Sequence, residues 1–354
     1  GIFLALPIFK TLLKSLATRG INMYLPKFTI ERPESPEEAA TLLSVHKDTK
    51  LAAGGTELFP RMKYGLCSPE VIISLKGQEI SPPQVTDEGM LILDAHMSLT
   101  SIIASPEVHE KAPLLAMAAS KVATREIRNM GTLGGNLCQE TRCLYFNQTH
   151  TFQFREPCFK RGGKECYFIP NGNKCWAVFM SDTAPALFCL DASLNIVGSD
   201  GVGQREIENL YTHDPLSPIS LKPDEIITKI IIPKKEGPSG SGFAKFTMRG
   251  AIEFAAVNVG VFLEAENDLL TCKRARITVG AVSGGPQRAT TAEAFLKGIS
   301  LSDDKISAAS QKIAETLKIV PHHGYSKGYL VECLKTHTKA ALTDAANAIT
   351  GAKQ

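Results

Sequence analysis

The chain has 354 residues, 44% of them hydrophobic and 21% charged, and a net charge of +3. That length suits two or three modules with their own cores, and so mild a charge, with no dense Lys/Arg stripe, gives no footing for a nucleic-acid partner. The nine cysteines are odd in number and crowd one stretch, which excludes a disulfide-stapled secreted fold and points to metal binding in a reducing, cytoplasmic setting.

Residues 1–22 form an N-terminal extension. Ile2, Phe3, Leu4, Leu6, Ile8, Phe9, Leu12, Leu13 and Leu16 make an apolar run broken by Lys10 and Lys14. The run is too short to span a membrane and lacks a basic leader. It reads either as an amphipathic helix that docks on a partner or a membrane, or as sequence upstream of a start at Met23.

A βαβ pattern fills the first module, 23–77. A strand at 27–30 leads to a helix capped by Ser35, with Pro36 at its first position and Glu38 closing a capping box. A strand at 50–53 runs into Gly54-Gly55-Thr56, a helix starts near Glu57, and a buried strand covers 71–75. The second module, 78–215, has a strand at 90–95, a helix from Ser105-Pro106 and another running to about Arg128. Gly131-Thr132-Leu133-Gly134-Gly135-Asn136 follows, a segment in which no helix is expected. A cysteine-, glycine- and aromatic-rich insert at about 137–180 has no clean period. Helix and strand character return at 184–190 and 194–197. A Pro- and Ser-rich linker precedes the third module, 225–354, with strands at 226–232, 242–248, 255–264 and 274–282. Helices around 306–317 and 326–349 close the chain. Strands followed by helices make this module α+β, and the whole chain mixed α/β.

Two glycine loops carry the chemistry of the first half. In Ala52-Ala53-Gly54-Gly55-Thr56-Glu57-Leu58, glycine lets backbone N–H groups approach an anion, and the helix start adds a favourable dipole. Arg125-Glu126-Ile127-Arg128-Asn129-Met130 leads into the second loop, whose three glycines in five positions indicate close passage of another group. The pair could grip a pyrophosphate from two sides, or be two unrelated tight turns.

These loops resemble those of the FAD-binding subunit of the xanthine dehydrogenase and carbon monoxide dehydrogenase family. The likeness continues through Ser181-Asp182-Thr183-Ala184-Pro185-Ala186, Gly242-Phe243-Ala244-Lys245-Phe246, and Val279-Gly280-Ala281-Val282-Ser283-Gly284-Gly285-Pro286-Gln287-Arg288-Ala289. It implies two FAD-binding subdomains and a C-terminal α+β domain. It also implies that Leu51, Ala52, Ala53, Gly54, Gly55, Thr56, Glu57 and Leu58 contact the diphosphate and ribityl portions. Thr132, Leu133, Gly134, Gly135 and Asn136 would hold the other side, Asp182 a polar flavin group, and Lys245 a place near the isoalloxazine. Val122 and Ile227 fall at apolar contact positions. Against these stand a helix-cap role for Asp182 and an exposed strand position for Lys245.

The insert holds Cys143, Cys158, Cys166 and Cys175 at intervals of 15, 8 and 9. Four thiolates suit tetrahedral zinc or an iron–sulfur cluster. The tight CxxC knuckles of zinc sites are missing, and wide spacing suits a cubane. Tyr145, Phe146, Phe159, Tyr167, Phe168 and Trp176 could shield it, while Lys160, Arg161, Lys164 and Lys174 balance its charge. The insert resembles that of the 4-hydroxybenzoyl-CoA reductase β subunit, which implies a [4Fe–4S] cluster on these four cysteines and leaves Cys138 with the glycine loop. The resemblance further implies an electron-transfer role in aromatic degradation, without acid–base catalysis on this chain. The partners would be a large molybdenum-cofactor subunit and a small [2Fe–2S] subunit in a dimer of heterotrimers, fed by ferredoxin. The alternative is an oxidative hydroxylase for aldehydes or N-heterocycles.

Overall fold

The computed structural model describes residues 24–148, 156–250 and 252–351. The expected N-terminal segment 1–22 lies outside the described residues. Among those described, no helix is long and apolar enough to cross a membrane.

The first unit is β1 (Thr29–Glu31), α1 (Pro36–Val45), β2 (Thr49–Ala52), α2 (Leu58–Lys63) and β3 (Val71–Ser74). The strands form a parallel sheet in the order β1-β3-β2. Ser35 Oγ accepts from Glu38 N at 3.1 Å, as a cap should, while the Glu38 carboxylate accepts from Glu34 N at 2.7 Å. The capping box therefore closes one residue before the cap itself.

Next come β4 (Gln84–Val85), β5 (Leu91–Asp94), α3 (Leu99–Ala104), α4 (Pro106–Lys111), α5 (Pro113–Ser120), α6 (Arg125–Met130), α7 (Leu133–Leu137), α8 (Thr183–Cys189), β6 (Ser193–Gly198), β7 (Gly201–Glu206) and β8 (Ile226–Ile232). The strands pair antiparallel in the order β4-β5-β8-β6-β7. Three expectations change here. The long helix to Arg128 is broken between α5 and α6, where Ala123 takes a φ of 41° and Thr124 caps α6 through Ile127 N at 3.2 Å. The GTLGGN segment does contain a helical turn, α7. Thr132 Oγ1 accepts from Gly135 N at 3.1 Å, and Gly134 N reaches Ala95 O at 2.8 Å. A methyl on Gly134 would meet Ala95 at 3.1 Å, so close packing on the end of β5 overrides glycine's poor helix propensity. Finally, β8, expected with the third module, pairs with β5 and β6 instead. The Pro- and Ser-rich stretch turns back, with Ser220 N on Leu210 O at 2.8 Å, and delivers Ile227, Ile230 and Ile232 to the second core.

The last unit has β9 (Ser239–Phe246), β10 (Val257–Ala265), β11 (Cys272–Gly280), β12 (Gln287–Arg288), α9 (Thr290–Leu296), α10 (Asp303–Gln311) and α11 (Lys327–Thr350). Its antiparallel sheet runs β12-β11-β10-β9. Helix α11 buries Leu330, Leu334, Thr338, Ala341, Leu342 and Ala345, mostly at four-residue spacing. It lies against the backbone of β9, since a methyl on Gly240 or Gly242 would come within 1.9 Å of Ala345 O or Ala341 O. Every residue of β10 is buried, because α8 covers the face opposite α11.

Candidate functional site: a flavin groove and a cysteine cavity

The two glycine loops touch. A methyl on Gly54 would lie 1.8 Å from Met130 O, so only glycine allows this approach of the first loop to the end of α6. Thr56 Oγ1 is 3.5 Å from where a Gly131 methyl would sit. Beside this junction runs a groove of about 760 Å³, within the range of cofactor sites. Ala53 and Gly54 line it from one side, and His96, Ser98, Met130 and Thr132 from the other. Burial lowers the His96 pKa against the pull of Asp94, and its Nε2 is buried with no hydrogen-bond partner. An orphaned ring nitrogen and a glycine-flanked groove fit a polar dinucleotide such as FAD.

The other residues implied by resemblance are divided. Leu58, Val122, Leu133, Gly134 and Ile227 are buried; Leu58 packs in the first unit and Val122, Leu133 and Ile227 in the second core. Ala52 is buried, Leu51, Gly55, Thr56 and Glu57 are half-buried, and Gly135 is exposed. Asn136 Oδ1 accepts from Ser181 Oγ at 2.6 Å and Thr183 Oγ1 at 2.7 Å, tying the second loop to the Ser-Asp-Thr motif.

Asp182 and Lys245 meet. Lys245 Nζ donates to Asp182 Oδ2 at 2.6 Å and to Lys121 O at 2.8 Å. Asn258 Nδ2 donates to Asp182 Oδ1 at 2.7 Å. Burial pushes the Asp182 carboxyl up, opposed by Lys245 and Asn258. Asp182 sits at the N-cap position of α8 but makes no side-chain cap bond; Ser181 Oγ does that for Ala184 N at 3.1 Å. Lys245 is not the exposed strand lysine either, with only 8% of its side chain accessible.

Cys143, Cys158, Cys166 and Cys175 line one small cavity. All six aromatic residues of the insert named above line it too, together with Lys160. Ile169 N and Ala177 N point at Cys166 Sγ and Cys175 Sγ, each at 3.5 Å. Burial raises the Cys143 thiol and pushes Cys175 up to about 11. Cys138 caps α7 and does not line the cavity. The open space is about 20 Å³, the size of one water. Among the described residues no three His, Cys, Asp or Glu side chains converge on one point that could hold a metal ion. The donor set is that of a four-thiolate centre, while the space between the thiols is no larger than one water.

Sequence reasoning missed the link between the two sites. The Arg142 guanidinium pairs with Glu57, directly after the first glycine loop, and stacks 4.4 Å from the Phe254 ring. Burial raises the Glu57 pKa, with Arg142 opposing, and lowers that of Arg142, with Glu57 opposing. Glu140 joins Arg61 of α2 at 3.6 Å to Lys160 of the insert at 2.8 Å. The adjacency of Arg142 to Cys143 was the only signal in the sequence.

Two α/β units that share a groove at their glycine loops, followed by an α+β unit, are the architecture of this chain. The fold is shared with carbon monoxide dehydrogenase from Hydrogenophaga pseudoflava, at a TM-score of 0.74 and 22% identity over 92% of this chain and 99% of that one. Quinoline 2-oxidoreductase from Pseudomonas putida 86 gives 0.72 at 22% identity, over 93% and 99%. Residues 26–235 match the FAD binding domain in molybdopterin dehydrogenase, and 243–345 the CO dehydrogenase flavoprotein C-terminal domain. The chain belongs to this family of FAD-binding oxidoreductase subunits. It is 29% identical to the aldehyde oxidoreductase FAD-binding subunit of Escherichia coli K12 over 83% of this chain and 94% of the relative. It is also 29% identical to the nicotine 6-hydroxylase medium subunit of Paenarthrobacter nicotinovorans, over 88% and 96%.

Proposed function

We propose that this FAD subunit also carries a [4Fe–4S] cluster on Cys143, Cys158, Cys166 and Cys175, and relays electrons inside a molybdenum hydroxylase complex. The observation that carries the reading is that four cysteines far apart in sequence line one aromatic-walled cavity. When bound, flavin exchanges electrons in pairs or singly and the cluster exchanges them singly. Gly54 and Thr132 flank the groove for the FAD chain, the Asp182–Lys245 pair serves its flavin end, and the aromatic wall keeps water from the thiolates. Arg142 ties the insert to the first glycine loop and so fixes the distance between the two sites.

A large molybdenum-cofactor subunit and a small [2Fe–2S] subunit complete the relay. Relatives named aldehyde oxidoreductase and nicotine 6-hydroxylase support the oxidative reading, in which an aldehyde or N-heterocycle gives up electrons. Reductive dehydroxylation of an aromatic acyl-CoA, fed by ferredoxin, is the second reading and rests on the spacing of the four cysteines. Metal analysis of the purified complex tests the cluster. About four irons per chain are expected beyond those of the partner subunits, and Cys158→Ser should remove them while FAD stays. Zinc in place of iron, or iron unchanged in the variant, overturns the proposal.

A further inference from the structure

A second groove, of about 660 Å³, opens on the far side of Cys175 and is unused by the readings above. The insert, the turn after β7 and the Ser283–Gly284 loop all contribute to it. Its wall carries Trp176, Phe188, Tyr211 and Val320, and its polar edge Lys174 and Lys318. The Lys174 and Lys318 ammonium groups stand 4.8 Å and 5.9 Å from the Trp176 ring. Among the described residues neither lysine has a carboxylate within ion-pair distance, whereas Arg288 in the same groove is neutralised by Glu293 and Glu208. Gln287 holds the backbone of Lys318 at both ends, accepting from its N and donating to its O at 2.9 Å each. The backbone that carries Lys318 is thus held, neither exposed ammonium group is ion-paired among the described residues, and an apolar wall lies beside them.

We propose that this groove binds a small organic anion, its carboxylate or phosphate between Lys174 and Lys318 and its apolar body against Phe188 and Val320. About half of the lining is apolar, which suits the body of a small organic molecule, and two cations without an ion-pair partner select for charge of the opposite sign. The inference does not depend on metal in the cysteine cavity.

Trp176 is the chain's single tryptophan, so its fluorescence reports occupancy directly. The purified complex is titrated with benzoate, phenyl phosphate and the uncharged benzamide, with the isolated partner subunits titrated in parallel to subtract their tryptophan signal. Saturable quenching by the anions and none by benzamide is expected, and the stronger of the two anions identifies the headgroup. Lys174→Gln and Lys318→Gln should each raise the anion Kd several-fold, with FAD content unchanged as the check on folding. Equal quenching by benzamide, no quenching by any probe, or unaltered anion affinity in both variants overturns the proposal. Quenching by an acidic peptide alone overturns it in favour of a protein partner.

Discussion

Lys245 shows how much of the proposed flavin end rests on one side chain. Its ammonium group is almost fully buried and has one carboxylate partner, Asp182, which Asn258 holds from the other side. Removing one member of a buried pair leaves the other charge uncompensated, at a cost of about 3–5 kcal/mol. Lys245→Met should therefore lower unfolding stability by roughly that amount and reduce the flavin retained per chain. The Lys245→Met, Asp182→Asn double variant should recover part of the stability and none of the flavin. Denaturant melts and flavin absorbance check both. Sequence named Asp182 and Lys245, but not that they bond to each other, since 63 positions separate them. Asn258 lay unnoticed inside an apolar strand pattern, because nothing in a single sequence distinguishes a buried asparagine with a job from a solvated one.

At the scale of elements, the two glycine loops are a packing device as well as the proposed cradle for FAD. Gly54 meets the Met130 carbonyl where any Cβ would overlap it. Gly54→Ala must push the first loop away from α6, and backbone on the far side of the contact cannot rotate aside as a side chain could. Overpacking of this kind costs about 1–3 kcal/mol. The expected outcome is a folded chain with a modestly lower melting temperature and FAD affinity reduced at least tenfold, measured by flavin titration; affinity equal to wild type would sink the assignment of the groove. Strand and helix periods were legible because hydrophobic spacing is local. The helical turn in Leu133–Leu137 was not, since its glycines are held by contact with Ala95 and by the Thr132 cap rather than by propensity.

Across the whole molecule, the second and third units are clamped by Asp191. Its carboxylate pairs with Arg274 at 2.6 Å, Arg276 at 2.9 Å and Lys235 at 3.5 Å. Burial pushes the carboxyl up, but Lys235, Arg274 and Arg276 outweigh it and hold the pKa below its usual 3.8. A carboxylate whose folded pKa is depressed stabilises the fold above the unfolded value and loses that contribution as pH falls through the folded one. Asp191→Asn should cost about 1 kcal/mol at neutral pH, given its partial exposure. The gap from wild type should close as pH drops below 3.8. Asparagine also tolerates the left-handed φ of 50° at this position, so backbone strain does not confuse the comparison. Urea melts across that pH window measure it, and a gap that stays constant with pH would assign the loss to packing.

The sequence alone determined the mixed α/β class, the order of nearly all the long strands and helices, the two glycine loops and the set of four insert cysteines. Those are properties of local spacing and of residue chemistry, and one chain carries them without its fold. Tertiary structure alone decided that β8 completes the second sheet, that Asp182 is answered by Lys245 and Asn258, and that Arg142 and Glu57 join the cysteine insert to the first glycine loop. Each of these is a contact between residues dozens of positions apart. Their partners are chosen by how the modules pack, and the composition of either segment does not reveal the choice.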